Sequence, residues 1–483
     1  MRSNIPTNAK KNFVYNSVYQ LFAIAIPLIT TPYVARVLGA ESIGLYSYSH
    51  AIAYYFVMFI MLGLNNYGNR TIAFVRDDKK KLSTTFFEIY KMQLSVAAIA
   101  ILCYCGFATL WINTTMSWIM LIYVISAALD INWFFFGLEQ FKTTALRSSI
   151  VKVITTISIF IFVKNPDDII IYSLINVLGL LASQLILWSR VRKYINYVRS
   201  PLKNSLKHLK PNLVLFIPVI AISLYKMMDK VMLGSLSNLE QVGFYENTEK
   251  IIQVPLALVT SLGTIMLPKI SNLAAKNDHA KSRKYMEKSL YFATFLASSM
   301  CFGIMAVAKD FVPWYYGENY APCIQLFQIL MPSCLFLATA NVIRTQYLIP
   351  YRQDKIYIAS VIAGAFVNLV INALLIPEYG ATGAAIGTLA AETCVCILQI
   401  ALTWNKLKLA PTLVKSSIYI VIGIIMYFFI SILPTLSTNS TINLLLKVIL
   451  GGILYLSLAL PSLRHFKLLP PNLKKLKTKL TRK

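Results

Sequence analysis

In the stretch YKMMDKVMLGSLSNLEQVGFYENTEK at 225–250, six ionisable residues fall inside two helices that otherwise look membrane-spanning: Lys226, Asp229, Lys230, Glu246, Glu249 and Lys250. Lys226 and Lys230 share a helix face, as do Glu246, Glu249 and Lys250, through i, i+3 and i, i+4 spacing. Lys226 precedes Gly234 by eight residues and Glu249 follows Gln241 by eight. At 1.5 Å per residue that places both roughly 12 Å from the same ends of two consecutive helices. Opposite charges at matched depth should pair across this hairpin, either as a network that makes the charges tolerable or as a gate lining a cavity. Three cations against three anions leave no net charge. Glu392 is a different case. It lies roughly 20 Å along its helix from Tyr379, close to mid-bilayer, with no charged neighbour in its own helix. It is a candidate for coupling to a proton or sodium gradient, against a protonated carboxyl hydrogen-bonded to a neighbouring helix. His50, His208, His279 and His465 are scattered and form neither a triad nor a metal site. No catalytic residue, metal site or bound cofactor is read from the chain, and the Gly-rich stretch at 380–387 lacks the lysine of a nucleotide loop.

The elements that must carry these groups are membrane helices. Hydrophobic residues make up 57% of the 483-residue chain, charged residues 13%, and mean hydropathy is +0.62. A soluble domain cannot hide that much apolar surface, whereas a bilayer solvates it. The formal charge of +27 does not indicate nucleic acid, because the basic residues sit in short segments between apolar runs rather than over a polar surface. Fourteen such runs, from 13–35 to 441–461, each hold about 20 residues, enough to cross about 30 Å of hydrocarbon. Lys and Arg concentrate in alternate segments, and the other segments hold only Arg36, Lys164 and Lys309. By the positive-inside rule both termini are cytoplasmic. The first run is long enough to be a span, so no cleaved leader is read there. The fold class expected is an all-α integral membrane protein of about fourteen transmembrane helices.

The 225–250 stretch also has an earlier counterpart. VARVLGAESIGLY at 34–46 resembles DKVMLGSLSNLEQVGFY at 229–245, with Arg36 opposite Lys230 and Gly39 opposite Gly234. Beyond a four-residue insertion, a constant offset of 199 pairs Gly44 with Gly243, Tyr46 with Tyr245, Arg70 with Lys269 and Glu88 with Glu287. The expected organisation is two six-helix lobes in parallel repeat plus two extra C-terminal helices. The boundaries are an N-lobe at 1–190, a cytoplasmic linker at 191–210, a C-lobe at 211–405, helices 13 and 14 at 406–462, and a basic tail at 463–483.

LDINWFFFGLEQFKTTALRSSIVKVI at 129–154 resembles a signature of bacterial oligosaccharide flippases, in the polysaccharide-transporter branch of the multidrug/oligosaccharidyl-lipid/polysaccharide exporter superfamily. LNNYGNRTIA at 64–73, MDKVMLG, VGFYENTEKI and LLIPEYGATGAAIGTLAAE at 374–392 are similar to further stretches of that family. Asn66 is more polar than the family pattern leads one to expect. The resemblance implies a flippase, not an enzyme, that carries a polyprenyl-diphosphate-linked oligosaccharide across the bacterial cytoplasmic membrane for surface polysaccharide synthesis by alternating access. Membrane lipids and the polysaccharide polymerase machinery would be its partners. The neutral 225–250 cluster should not by itself capture a diphosphate, so the headgroup candidates lie mainly toward the cytoplasmic helix ends. Arg147 and Arg70 lead, since arginine can grip phosphate through two parallel hydrogen bonds, followed by Lys152. Arg36, Lys226 and Lys230 are the outer-half candidates, and Asp229, Glu246, Glu249 and Lys250 the ion-pair or gating set. Each cation has a plainer reading as an anchor to lipid phosphate. Trp133 and Phe134 to Phe136 point all round a helix and read as packing. Lys447 reads as snorkelling to the interface. The competing function is a cation-coupled multidrug exporter of similar fold; a glycan polymerase or ligase is disfavoured by the short outer loops.

Overall fold

The computed structural model describes residues 9–111 and 114–466, which are helical with short turns and contain no strand. The basic tail expected at 463–483 lies outside the described residues from 467 onward. Twelve stretches among the described residues are long and apolar enough to cross a membrane. One of them, Ala25–Val75, turns at Gly39 and so counts as two passes, and the helix Leu209–Leu236 supplies another, which accounts for the fourteen passes expected. Helices are the only way an isolated span can satisfy its own backbone hydrogen bonds in hydrocarbon.

By internal contacts the chain divides into two compact units, 1–246 and 247–483. The first contains α1 (Ala9–Met61), α2 (Leu64–Val75), α3 (Lys79–Leu110), α4 (Thr114–Ala128), α5 (Asn132–Gly137), α6 (Phe141–Phe162), α7 (Ile169–Val191), α8 (Leu202–Leu206) and α9 (Leu209–Leu236). It also takes the first turns of α10 (Leu239–Ala275). Gly39, at φ 76° and ψ 172°, reverses α1 in a conformation that a Cβ would strain. α9 packs along the second half of α1, where the Tyr48 ring lies on Gly234 and the Tyr48 hydroxyl is 2.8 Å from Ser235 Oγ.

The signature stretches earn their residues by packing on one another. Trp133, Phe134 and Phe135 are fully buried with Phe86, as the packing interpretation expects. Trp133 lies across Gly68, so the Tyr-Gly of LNNYGNR leaves room for the Trp of LDINWFFFG. Asn66 is exposed. Asp130 caps α5 by accepting from the Asn132 backbone and side-chain nitrogens at 2.8 and 2.7 Å.

The expected linker is an ordered strap without regular helix over residues 195–201, laid along α3. Asn196 donates its backbone N–H to Ser83 Oγ at 3.1 Å, Lys91 Nζ donates to the Ser200 carbonyl at 2.8 Å, and Tyr197 meets Phe87 edge-on. Beneath it Glu88, nearly fully buried, takes Lys207 at 2.9 Å and His208 Nε2 at 3.2 Å. His208 Nδ1 lies 2.6 Å from the Tyr67 hydroxyl. Burial lowers the proton affinity of His208 below its ordinary value, in spite of the opposing pull of Glu88.

The second unit contains the rest of α10, with α11 (His279–Tyr315), α12 (Pro322–Leu330), α13 (Ser333–Ile343), α14 (Asp354–Tyr379), α15 (Ala381–Leu407), α16 (Ala410–Ile432) and α17 (Ser440–His465). The Gly-rich 380–387 stretch lies where α14 and α15 meet along their length, with Gly387 against the buried Asn372. Lys447 does not snorkel. It is buried and its Nζ lies 2.7 Å from Asp310 of α11, whose other oxygen accepts from Asn443 at 2.9 Å. Once desolvated by α11, the lysine is better served by a carboxylate than by stretching toward the interface.

A side chain at Gly44 would overlap the Leu239 carbonyl, and one at Gly243 would overlap the Ala40 carbonyl. Under the offset of 199, Gly44 corresponds to Gly243 and Ala40 to Leu239, so the two contacts of this crossing are reciprocal. Gly44→Val and Gly243→Val should each lower stability by about 1–3 kcal/mol through overpacking. Because either one separates the same two backbones, the double variant should lose clearly less than the sum. Thermal unfolding in detergent checks this, and strict additivity would mean the two glycines serve separate contacts.

Candidate functional site

The charged hairpin forms between α9 and the start of α10. Lys230 Nζ lies 2.5 Å from Glu246 Oε2, both largely buried, and Tyr245 donates its hydroxyl to Asp229 Oδ2 at 2.6 Å. Pairing across the hairpin is thus present, with Lys230 and Glu246 as the partners. The Lys226 side chain lies outside the described residues. Glu249 and Lys250 are half-buried in the second unit, each with interactions of its own.

The cations differ in what they can reach. Arg36 and Arg70 are exposed, and Lys152 is half-buried. Arg147 is buried and engaged by the protein: Nη1 donates to the Ser183 carbonyl at 3.0 Å and to Gln184 Oε1 at 3.4 Å, and Nη2 to Asn132 Oδ1 at 3.1 Å. These bonds tie α6 to α7 and to the Asp130–Asn132 cap. A diphosphate would reach Arg147 only by displacing them. Glu392 is buried on α15, near the thiols of Cys334 and Cys396.

An aromatic wall inside the first unit was missed by the sequence reading. His50 stacks on Tyr123 with centroids 4.7 Å apart and interplanar angle 16°, and on Tyr46 at 5.8 Å and 23°. Tyr172 meets Tyr46 edge-on at 5.1 Å, and Tyr54 continues the row with its hydroxyl 3.3 Å from Ser223 Oγ. Tyr46, His50 and Tyr54 are half-buried at i, i+4, i+8 spacing. That spacing was the available signal: three amphipathic rings on one face of a membrane helix. Such rings combine an apolar face for sugar C–H groups with polar edges for hydroxyls.

Among the described residues, long apolar helices holding buried ion pairs, amides and an aromatic wall define a multi-pass helical membrane protein. Among solved structures the fold is similar to "Lipid II flippase MurJ, inward closed conformation", at a TM-score of 0.75 over 94% of this chain and 99% of that one, with 13% identity. It is also similar to an inward-facing "multidrug resistance MATE family transporter of the MOP superfamily", at 0.56 over 82% and 95%, with 14% identity. In sequence, the chain is 25% identical over 407 residues to the "Putative O-antigen transporter" of Escherichia coli (strain K12), covering 82% of this chain and 97% of the relative. A protein of the same description from Shigella dysenteriae is 24% identical over 398 residues, 81% and 99%. Residues 9–274 match the family described as "Polysaccharide biosynthesis protein", and the chain belongs to that family.

Lys230→Met leaves the Glu246 carboxylate without this cation in a low-dielectric site and should destabilise the protein by on the order of 3 kcal/mol. Adding Glu246→Leu should restore most of that loss. Thermal unfolding of the two variants reads the difference; a Lys230→Met protein as stable as wild type would show that the pair carries no structural weight.

Proposed function

We propose that this protein is a flippase that moves a polyprenyl-diphosphate-linked oligosaccharide from the inner to the outer leaflet of a bacterial cytoplasmic membrane, by alternating access, for assembly of a surface polysaccharide. The observation that carries this is the similarity to O-antigen transporters along nearly their whole length, within a polysaccharide biosynthesis family. The chemistry is consistent. Such a cargo joins an apolar tail to an anionic diphosphate and a polar glycan. The chain offers membrane-spanning helices, exposed cations at Arg36 and Arg70 with Lys152 partly accessible, and the Tyr46–His50–Tyr123 wall for sugar rings. Arg147 acts through position, holding α6 and α7 around Asn132.

In this scheme both termini face the cytoplasm, the Lys230–Glu246 pair is a gating element, and Glu392 takes up the coupling cation or proton. The polymerase machinery receives the delivered repeat unit. Deletion of the coding gene is the test. Lipid-linked repeat units should accumulate facing the cytoplasm while surface polymer is lost, and both defects should be reversed by the wild-type chain. Intact surface polymer with no trapped intermediate would sink the reading.

A further inference from the structure

A cavity of about 680 Å³ lies in the first unit between α3, the end of α7 and the strap, away from the charged hairpin. Its walls are Phe87 from α3, Trp188, Val191 and Arg192 at the end of α7, and Ile195 and Tyr197 from the strap. The walls are held in place. Trp188 donates its indole N–H to the Leu129 carbonyl at 2.9 Å and packs on Tyr90 at 4.7 Å, while Tyr197 rests edge-on against Phe87 at 5.3 Å.

The surroundings say what kind of molecule fits. On the span side the helix faces leading to the cavity are exposed and apolar: Leu94 on α3, with Leu185 and Ile186 on α7. On the other side the chain is strongly basic. Arg190, Arg192, Lys193 and Arg199 are all exposed, and no acidic residue occurs between Asp168 and Asp229. The nearest carboxylate from α3, Glu88, is buried beneath the strap and taken up by Lys207 and His208. An apolar slope that ends in an aromatic slot with a guanidinium at its rim matches a molecule with hydrocarbon tails and an anionic head. Tyr and Trp favour this interfacial depth, and a guanidinium pairs well with a phosphodiester.

We propose that this cavity is a binding site for one anionic phospholipid, of the phosphatidylglycerol class, with its phosphate on Arg192, its glycerol between Trp188 and Tyr197, and its tails along Leu94 and Leu185. The bound lipid braces the strap against α3. The site is separate from the flippase reading and does not depend on it.

Native mass spectrometry of the full-length protein, delipidated in detergent and then titrated with phosphatidylglycerol or phosphatidylcholine, tests this. Wild type should retain one phosphatidylglycerol, which neither phosphatidylcholine nor millimolar inorganic phosphate displaces. Arg192→Gln should weaken retention roughly tenfold, as loss of a charged hydrogen bond does. Tyr197→Ala, at a residue 80% exposed, should weaken it as well. Lys203→Gln removes the same charge from the same basic segment, outside the cavity, and should leave retention unchanged. Equal losses in Arg192→Gln and Lys203→Gln would reduce the effect to diffuse attraction and overturn the site. Equal retention of phosphatidylcholine, or displacement by inorganic phosphate, would overturn it too.

Discussion

Charge and unpaired polarity are costly inside a bilayer, and much of this fold can be understood as the means by which its buried polar groups are answered. Lys230 faces Glu246, Lys447 faces Asp310, Arg147 is taken up by Ser183, Gln184 and Asn132, and Glu88 is met by Lys207 and His208. Each arrangement joins elements that hydrophobic burial alone would hold only loosely, because lipid is as apolar as a neighbouring helix. Polar contacts therefore set which helices touch and at what height, while packing of residues such as Trp133 on Gly68 fixes how closely they approach.

Much of this was legible in the sequence. Runs of about 20 apolar residues identify the spans, since hydrocarbon thickness sets their length. Spacing within 225–250 indicates a charged hairpin, because helical periodicity fixes which residues share a face. The offset of 199 matches Gly44 with Gly243 as counterparts, but that the two meet at a crossing is visible only in the structure. Less legible was the choice of partner. Arg147 reads in sequence as a headgroup candidate; its companions in the structure come from α5 and α7, and no local spacing announces a contact across 36 residues. Lys447 similarly finds Asp310 across 137 residues. The strap was hidden for another reason: a polar, basic segment between spans looks like a solvated linker until its order against α3 is seen.

The two kinds of buried group suggest a division of labour. Pairs such as Lys447–Asp310 fasten α17 to α11, which suits a fixed scaffold. Lys230–Glu246 lies on a hairpin beside a crossing of bare backbones at Gly44 and Gly243, where two helices touch without interlocking side chains. Glycine-lined contacts can part without unpacking a core, which fits the gating role proposed above for this hairpin. The aromatic wall built from Tyr46, His50 and Tyr123 begins two residues along α1 from that crossing.

The central claim is translocation of a lipid-linked oligosaccharide, and reconstitution tests it most directly. The purified protein would be placed in liposomes containing a polyprenyl-diphosphate oligosaccharide, and the cargo exposed on the outer surface would be followed with a membrane-impermeant sugar-modifying enzyme. The account predicts that the protein makes nearly all of the cargo accessible over time, against roughly half in protein-free vesicles. Accessibility that stays at the protein-free level with correctly folded protein, under either a proton or a sodium gradient, would contradict it.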